Sequence, residues 1–296
     1  MPVNDELGIR MKTYYEQIPK TKLMRRTPVA IRLDGKAFHT FTRGFEKPFD
    51  EVLGNAMRET MKYLCENIQG CVFGYTQSDE ITLILVDYKK LNSDAWFDYE
   101  VQKMCSISAS MATMAFNKNF YQKVQEWKEK TFPQNYLGHT TGTISMTDIQ
   151  RMETYELAAD NGAMFDARCF NIPKEEVANL IYWRQLDASR NSIQMVGQAY
   201  FSHNELQHKS NSDIQDMLME KHQINWNDYP THLRRGSCCI KKPLSECVRV
   251  VSTDKWGKSK SFLGVRKYGW VIDLDIPIFK GKDREYIEKH IYFEEE

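Results

Sequence analysis

Hydrophobic and polar residues alternate over Pro28–Asp34: Val29, Ile31 and Leu33 share one side, Ala30, Arg32 and Asp34 the other. A period of two predicts a β-strand, and Gly35 ends it. From Pro48 the period becomes that of a helix. Leu53, Ala56, Met57, Thr60, Met61, Leu64 and Ile68 form its buried stripe, and Gly70 supplies a left-handed stop. Two apolar runs follow, Cys71–Tyr75 and Ile81–Val86, and the polar Thr76–Glu80 between them predicts a hairpin. A second helix is predicted over Tyr99–Phe120, with Val101, Met104, Cys105, Ser108, Met111, Ala112 and Ala115 inward. Its methionines read as core packing. Residues 121–162 are polar, hold Pro133 and several glycines, and carry no clear period. Phe165–Ile172 predicts a fourth strand, Pro173 opens a helix to Asp187, and a further helix covers Asn191–Tyr200.

With 121–162 set aside, the order is β–α–β–β–α–β. This is the split βαβ arrangement of ferredoxin-like folds, an α+β class with an antiparallel sheet and helices on one face. The part from Phe201 onward is mixed. Ser212 reads as the cap of a short helix to Lys221, and short strands are predicted at Ser237–Lys241, Cys247–Ser252 and Gly269–Leu274. The chain divides on this reading into 1–190 and 191–296.

Composition narrows the function classes. Forty basic residues balance forty acidic ones, which excludes a tail-type nucleic-acid binder but not a local basic surface such as Lys20–Arg26 or Lys255–Lys267. No apolar run approaches the ~18 residues of a membrane-spanning helix, and the polar Met1–Pro19 does not read as a signal peptide. The seven cysteines show no CxxC spacing, so they read as core thiols in a reducing cytoplasm. Cys238 and Cys239 point to opposite faces of a strand. His203 and His208 are spaced too poorly for a metal site. Trp183 reads as a core residue. Trp226, Tyr229, Trp256, Tyr268 and Trp270, which accompany the basic C-terminal run, read as packing rather than as base-stacking groups.

The chemistry concentrates in carboxylates. Asp34 ends the first strand, and Asp79 and Glu80 lie in the hairpin turn. In a split βαβ sheet the first and third strands lie side by side, so Asp34 and Asp79 converge although 45 positions separate them. Two carboxylates held together repel unless a proton or cation lies between them. Hard oxygen donors suit Mg²⁺, and the Gly35 carbonyl is a further donor. A turn aspartate alone is weak evidence; the two turns together make metal-dependent phosphoryl chemistry a candidate.

Six segments then carry a resemblance: Arg32–His39 (RLDGKAFH), Lys47–Asp50 (KPFD), Gly74–Glu80 (GYTQSDE), Phe165–Arg168 (FDAR), Tyr182–Gln185 (YWRQ) and Arg234–Ser237 (RRGS). In this order they resemble the signature of the tRNA-histidine guanylyltransferase family. The resemblance implies a polymerase-type palm over 1–190, with 191–296 contributing to nucleotide and RNA contacts and to assembly. It implies 3′→5′ addition of nucleotides to the 5′ end of tRNA from GTP, ATP or another NTP, in the cytoplasm, by a homotetramer. Two Mg²⁺ ions would lie on Asp34, the Gly35 carbonyl and Asp79, with Glu80 beside them. The nucleotide would meet Asp34, Gly35, Lys36, Ala37, Phe38, His39 and Ser78. Lys47 would neutralise its triphosphate, Asp50 would approach its base, and Asn191 would contact its phosphates. Arg32, Lys103, Arg168 and Arg184 would contact RNA, although an ion pair with Asp166 is an equal reading of Arg168.

The specialised G-adding members carry His-Ile-Asn-Asn where this chain has Ser189-Arg190-Asn191-Ser192. The chain therefore resembles the bacterial and archaeal "like" proteins, which repair truncated tRNA 5′ ends against a template. Glu100 stands where the family has an arginine before the residue matched to Lys103. Untemplated G addition to tRNA-His, a nucleotide cyclase and a catalytically silent RNA-binding module are the alternatives.

Overall fold

The computed structural model describes residues 5–132, 145–253 and 259–293, with side chains described outside 244–267. The elements are α1 (Glu6–Met11), β1 (Val29–Gly35), α2 (Phe38–Phe41), α3 (Glu51–Asn67), β2 (Cys71–Gln77), β3 (Glu80–Leu85), α4 (Val101–Thr131), α5 (Met146–Asn161), β4 (Phe165–Asn171) and α6 (Lys174–Tyr200). Then follow α7 (His203–Leu206), α8 (Asn211–His222), α9 (Thr231–Arg235), β5 (Ser237–Thr253), β6 (Ser259–Asp273) and α10 (Glu285–Glu288).

One antiparallel sheet runs β4-β1-β3-β2-β5-β6. Its first four strands are the split βαβ unit, and β1 pairs with β3 as the crossover rule requires, Ile31 opposite Leu83 and Asp34 opposite Glu80. The alternation on β1 sorts two cores. Val29, Ile31 and Leu33 pack with Ala56, Met57 and Met61 of α3 and Met104 and Phe116 of α4. Ala30 and Ile84 pack on the opposite face with Val177, Ala178 and Ile181 of α6. The two palm helices thus share one face as expected, and a third helix covers part of the other. Cys238 and Cys239 fall into different cores, as a strand demands.

Several boundaries differ from the sequence reading, each for a local reason. The first helix begins at Glu51 rather than Pro48, because Asp50 is its N-cap and accepts from the Leu53 amide at 2.8 Å. The second extends to Thr131, and Phe120 and Val124 keep its buried stripe going beyond Phe120. The two helices expected after Pro173 are one, unbroken across Asp187–Asn191 and across the proposed division at 190. Ser210, not Ser212, caps α8 through a box with Asp213. The three short C-terminal strands form one long hairpin, β5–β6, that extends the palm sheet through Cys238 and Cys239 opposite Tyr75 and Gly74. Part of the region without a clear period is α5, whose Tyr155 packs against Phe45 and Trp127. Lys255–Lys267 and Trp256 lie outside the described side chains. In the other basic run, Arg25 is tied to Asp87 and Lys22 to Asp98.

The hairpin joins the palm at Gly236, where φ is +82° and a Cβ would sit 2.6 Å from the Thr76 carbonyl oxygen and 2.7 Å from the Tyr75 hydroxyl. Only glycine combines that backbone with that approach. Gly236→Ala is expected to lower stability by more than about 1 kcal/mol; a chemical-denaturation midpoint equal to that of the parent would show that the junction tolerates a side chain.

Candidate active site

The β2–β3 turn is a two-residue loop, Ser78-Asp79, between paired Gln77 and Glu80. The strands therefore run further into Thr76–Glu80 than the polar residues suggest. Ser78 adopts a left-handed backbone, φ 48°, and so does Ala37, φ 55°, just past the end of β1. Non-glycine residues rarely accept this conformation. The Gly35 amide donates to the Asp79 carbonyl at 3.1 Å, and the Lys36 amide to the Met164 carbonyl at 2.8 Å. A Cβ on Gly35 would lie 2.2 Å from the Phe38 ring. The Asp34-Gly35 sequence thus lets the end of β1 approach Phe38 while it is pinned to the hairpin.

Asp34 and Asp79 are brought together by that pinning. Burial pushes the Asp79 carboxyl above its usual range, and the neighbouring Asp34 pushes it further. Among the described residues neither carboxylate is ion-paired. The nearby cations serve Glu80: Arg184 Nε donates to its Oε1 at 2.7 Å, and Arg32 Nε lies 3.6 Å from its Oε2. Glu80 is buried in this pairing, so it locks α6 to the sheet and is not part of the open carboxylate pair, a correction to its expected catalytic place. Arg184 is likewise corrected. It is 6 % exposed, bonded also to Asp187 at 2.8 Å, and cannot reach an RNA phosphate.

A cleft of about 660 Å³ opens beside Asp79, lined by Gly35, Ala37, Phe38, His39, Lys47, Asp50 and Ser78. A second cavity shares Asp50 and Ser78 and is lined further by Asn191, Arg58 and His232. Most of the expected nucleotide residues are therefore gathered. Asp34 and the exposed Lys36 are absent from both linings. Asp50 is more occupied than expected: besides capping α3 it accepts from the Glu46 amide at 3.0 Å and the Tyr155 hydroxyl at 2.6 Å. About one of a carboxylate's roughly four acceptor sites is left for a base. Arg58 and His232 were not foreseen. Nothing in their spacing marks them; burial and Arg58 together push the His232 imidazole below its usual value, which favours a neutral ring.

The expected RNA residues separate. Arg32 and Arg168 are direct partners across β1 and β4. Arg168 pairs with Asp166 at 3.3 Å, as its alternative reading has it, and both are exposed. Cys169 Sγ lies 3.5 Å from Cys105 Sγ of α4, so Arg168, one residue away, faces the α6 side. Lys103 belongs to α4 on the other face, beside Glu100 at 4.0 Å. Trp183 is corrected from core to surface, 52 % exposed. Trp226 packs as expected, donating to Ser192 Oγ at 3.0 Å, whereas Tyr268 is exposed.

Among the described residues no three His, Cys, Asp or Glu side chains form a ligand group. Two crowded carboxylates with a neighbouring main-chain carbonyl still fit Mg²⁺, which takes one or two carboxylates and completes its shell with water and phosphate oxygens. Among the described residues no helix is long and apolar enough to cross a membrane.

A palm with paired carboxylates beside a nucleotide-sized cleft is the architecture of a nucleotidyltransferase. The sequence profile of the tRNAHis guanylyltransferase family matches residues 9–173. An uncharacterized protein of Acanthamoeba polyphaga mimivirus is 31% identical over 252 residues, covering 82% of this chain and 79% of its own. The probable tRNA(His) guanylyltransferase of Dictyostelium discoideum is 26% identical over 239 residues, 76% of this chain and 79% of its own. Among solved structures, a bacterial tRNA(His) guanylyltransferase-like protein in complex with ATP superposes with a TM-score of 0.70 at 38% identity, over 97% of this chain and 99% of that one. A structure of such a bacterial protein in complex with GTP superposes with a TM-score of 0.69 at 37% identity, over 98% and 100%. The chain belongs to the tRNAHis guanylyltransferase family and is an enzyme of nucleotidyltransferase type.

The raised Asp79 carboxyl sets a stability test. Its folded value lies above the unfolded one, so the folded state binds the proton more tightly. Stability therefore falls as pH rises through that window. Without divalent ions, Asp79→Asn is expected to melt above the parent at neutral pH, and the gain is expected to shrink as pH is lowered toward the ordinary carboxylate range. Added Mg²⁺ is expected to raise the parent's Tm and not the variant's. A variant with a lower Tm at neutral pH would show that the carboxylate pair is not crowded.

Proposed function

We propose that the enzyme adds nucleotides in the 3′→5′ direction to the 5′ end of tRNA, choosing each by pairing with a template strand. The observation that carries the reading is the closeness of Asp34 to Asp79, which lines a cleft that also holds Lys47, Asp50 and Ser78. Asp34, the Gly35 carbonyl and Asp79 would hold Mg²⁺, which when bound neutralises charge on the attacking and leaving oxygens of a phosphoryl transfer. Lys47 is an exposed ammonium on the cleft wall, a point charge suited to a triphosphate. Ser78 and His39 bound the space for the nucleotide, and Asn191, in the adjoining cavity, is the phosphate contact of this reading. The 3′ hydroxyl of the bound NTP forms a bond to the α-phosphorus of an RNA end carrying a 5′-triphosphate, its proton passes to solvent, and the bond from that phosphorus to the departing pyrophosphate breaks. Arg32 and Arg168 on the α6 side are the RNA contacts of this reading; Lys103, on α4 across the sheet, lies away from them. The exposed apolar side chains of the N-terminal segment, Leu7, Ile9, Tyr14 and Tyr15, support assembly into the homotetramer.

Template choice follows from Ser189-Arg190-Asn191-Ser192. None of the four is a histidine that could single out one tRNA; Ser192 is buried and accepts from Trp226, and Asn191 lines the cavity. A tRNA lacking its first nucleotide, with A, C, G or U opposite the gap, is expected to receive the complementary nucleotide, and Asp34→Ala is expected to end addition by a factor of about 10² or more. Entry of G whatever the opposing base, and only on tRNA-His, would replace templated repair with specialised G addition; RNA binding without any addition would make the protein a binding module. Lys47→Ala is expected to raise KM for NTP roughly tenfold with the RNA Kd unchanged. The reverse pattern in the same steady-state assay would move Lys47 to the RNA surface.

A further inference from the structure

On the α6 face, β1 and β4 form a floor that changes character along its length. Ala30 lies opposite Phe170, Arg32 opposite Arg168, and Asp34 opposite Asp166. The apolar end is covered by Val177, Ala178 and Ile181 of α6. Beyond Ile181 the floor is charged and open, with the side chains of Arg168 and Asp166 52 % and 61 % exposed. Trp183 stands on α6 at the edge of this open floor, and more than half its surface faces solvent. An indole so exposed loses the apolar burial that normally holds a tryptophan.

Two arginines hold the ring nonetheless. The guanidinium carbon of Arg184 is 4.5 Å from the indole centroid and that of Arg32 is 5.7 Å. Arg184 is fixed in turn by Glu80 and Asp187, so the ring leans on a buried ion-pair network rather than on a mobile side chain. Arg32 is different. Its buried Nε makes no hydrogen bond but pairs with Glu80 by charge at 3.6 Å, and the side chain remains partly open to solvent. A guanidinium whose side chain keeps 20 % of its surface in solvent, beside an open indole, is the pairing that binds a nucleotide in a single strand or at a helix end: phosphate on the solvent-facing edge of the cation, base on the ring. Arg32 and Asp34 share a face two residues apart on β1, about 6.6 Å along the strand, so the platform stands next to the proposed reacting centre.

We propose that Trp183 is a stacking platform for the nucleobase at or beside the 5′ end of the RNA, and that Arg32 holds the adjoining phosphate. This rests on the 3′→5′ addition reading and names how that site positions its RNA. The RNA enters over the open β1–β4 floor beside Trp183, while the nucleotide lies in the cleft lined by the start of α3 and by Met195 and Gln198 near the end of α6, and the two meet at the end of β1. Trp183 is a positioning residue on this view: it sets where the 5′ phosphorus rests against Asp34 and Asp79.

The test uses an acceptor-stem RNA hairpin with a recessed 5′ end, carrying 2-aminopurine as its 5′-terminal base, with the full-length protein and no NTP. Binding to the parent is expected to quench the 2-aminopurine. Trp183→Ala is expected to abolish that quench and weaken RNA binding at least about fivefold, the low end for base–aromatic stacking. Trp183→Phe is expected to keep most of both, and Trp183→Leu neither. KM for NTP and Tm are expected to hold in all three, since an exposed side chain carries little of the core. Parent-like quench and affinity in Trp183→Ala, or full rescue by leucine, would overturn the proposal. A change of oligomeric state by light scattering with RNA affinity intact would overturn it too and make the indole a protein contact. The two readings fail separately: a parent that quenches but adds no nucleotide removes the addition reading alone, and a parent that adds nucleotides with Trp183→Ala unchanged removes the platform alone.

Discussion

One hydrogen bond, from the Gly35 amide to the Asp79 carbonyl, joins the end of β1 to the β2–β3 turn and forces two like charges together. The fold makes this arrangement unavoidable. The register that puts Ile31 opposite Leu83 also puts Asp34 opposite Glu80, and slipping it by one residue would turn the whole buried set outward. The apolar packing on both faces of the sheet therefore fixes the position of the carboxylates, and the energy that overcomes their repulsion comes from packing far from them. Two left-handed non-glycine residues, Ala37 and Ser78, flank the pair, which adds backbone strain where the charge is already crowded.

Glu80 completes this logic. Three acidic residues lie in one corner, and a third free charge would deepen the repulsion. Arg184 and Arg32 neutralise Glu80 instead, which ties α6 to the sheet and leaves Asp34 and Asp79 as the open pair. A buried ion pair of this kind contributes more to geometry than to net stability, because desolvation offsets much of the attraction. The consequence for function is directional. Arg184 cannot serve RNA, and the indole of Trp183 is held in place by the same network.

The central sheet, both palm helices and the convergence of Asp34 with Asp79 were legible in the sequence, because each follows from local periodicity plus one topological rule. What was not legible depends on partners distant in the chain. Asp187–Asn191 is polar enough to read as a break, yet Arg184–Asp187 and Ser192–Trp226 contacts satisfy those side chains within a continuous helix. The three short strands read as separate because Pro243 interrupts the apolar alternation, where the ladder shifts register instead of ending. Asp50 had a legible place in the site, but its role as helix cap and as acceptor for Tyr155 needed α5, which has too little periodicity to announce itself. Trp183 was misread for the opposite reason. Tryptophan beside apolar helix positions is usually buried, and only the change in the floor of β1 and β4 from Ala30 to Arg32 shows why this one is not.

The sheet acts as a partition. Side chains of β1 that point toward α3 and α4 are apolar throughout, so no substrate passes between the sheet and those helices. The nucleotide-sized cleft reaches the carboxylates around the end of β1, past Ala37 and Phe38, whereas the opposite face reaches them along the charged floor. On the addition reading proposed above, a reaction that joins a small triphosphate to the end of a large RNA needs such a separation. The small partner fits a cleft walled by the loop that contains Lys47, and the large one needs an open surface with little to clash against its helix. Were both to enter from one side, the RNA would close the cleft before the nucleotide could exchange. The position of the carboxylates at the rim, neither wholly buried nor on the open face, follows from being the one place that both approaches share.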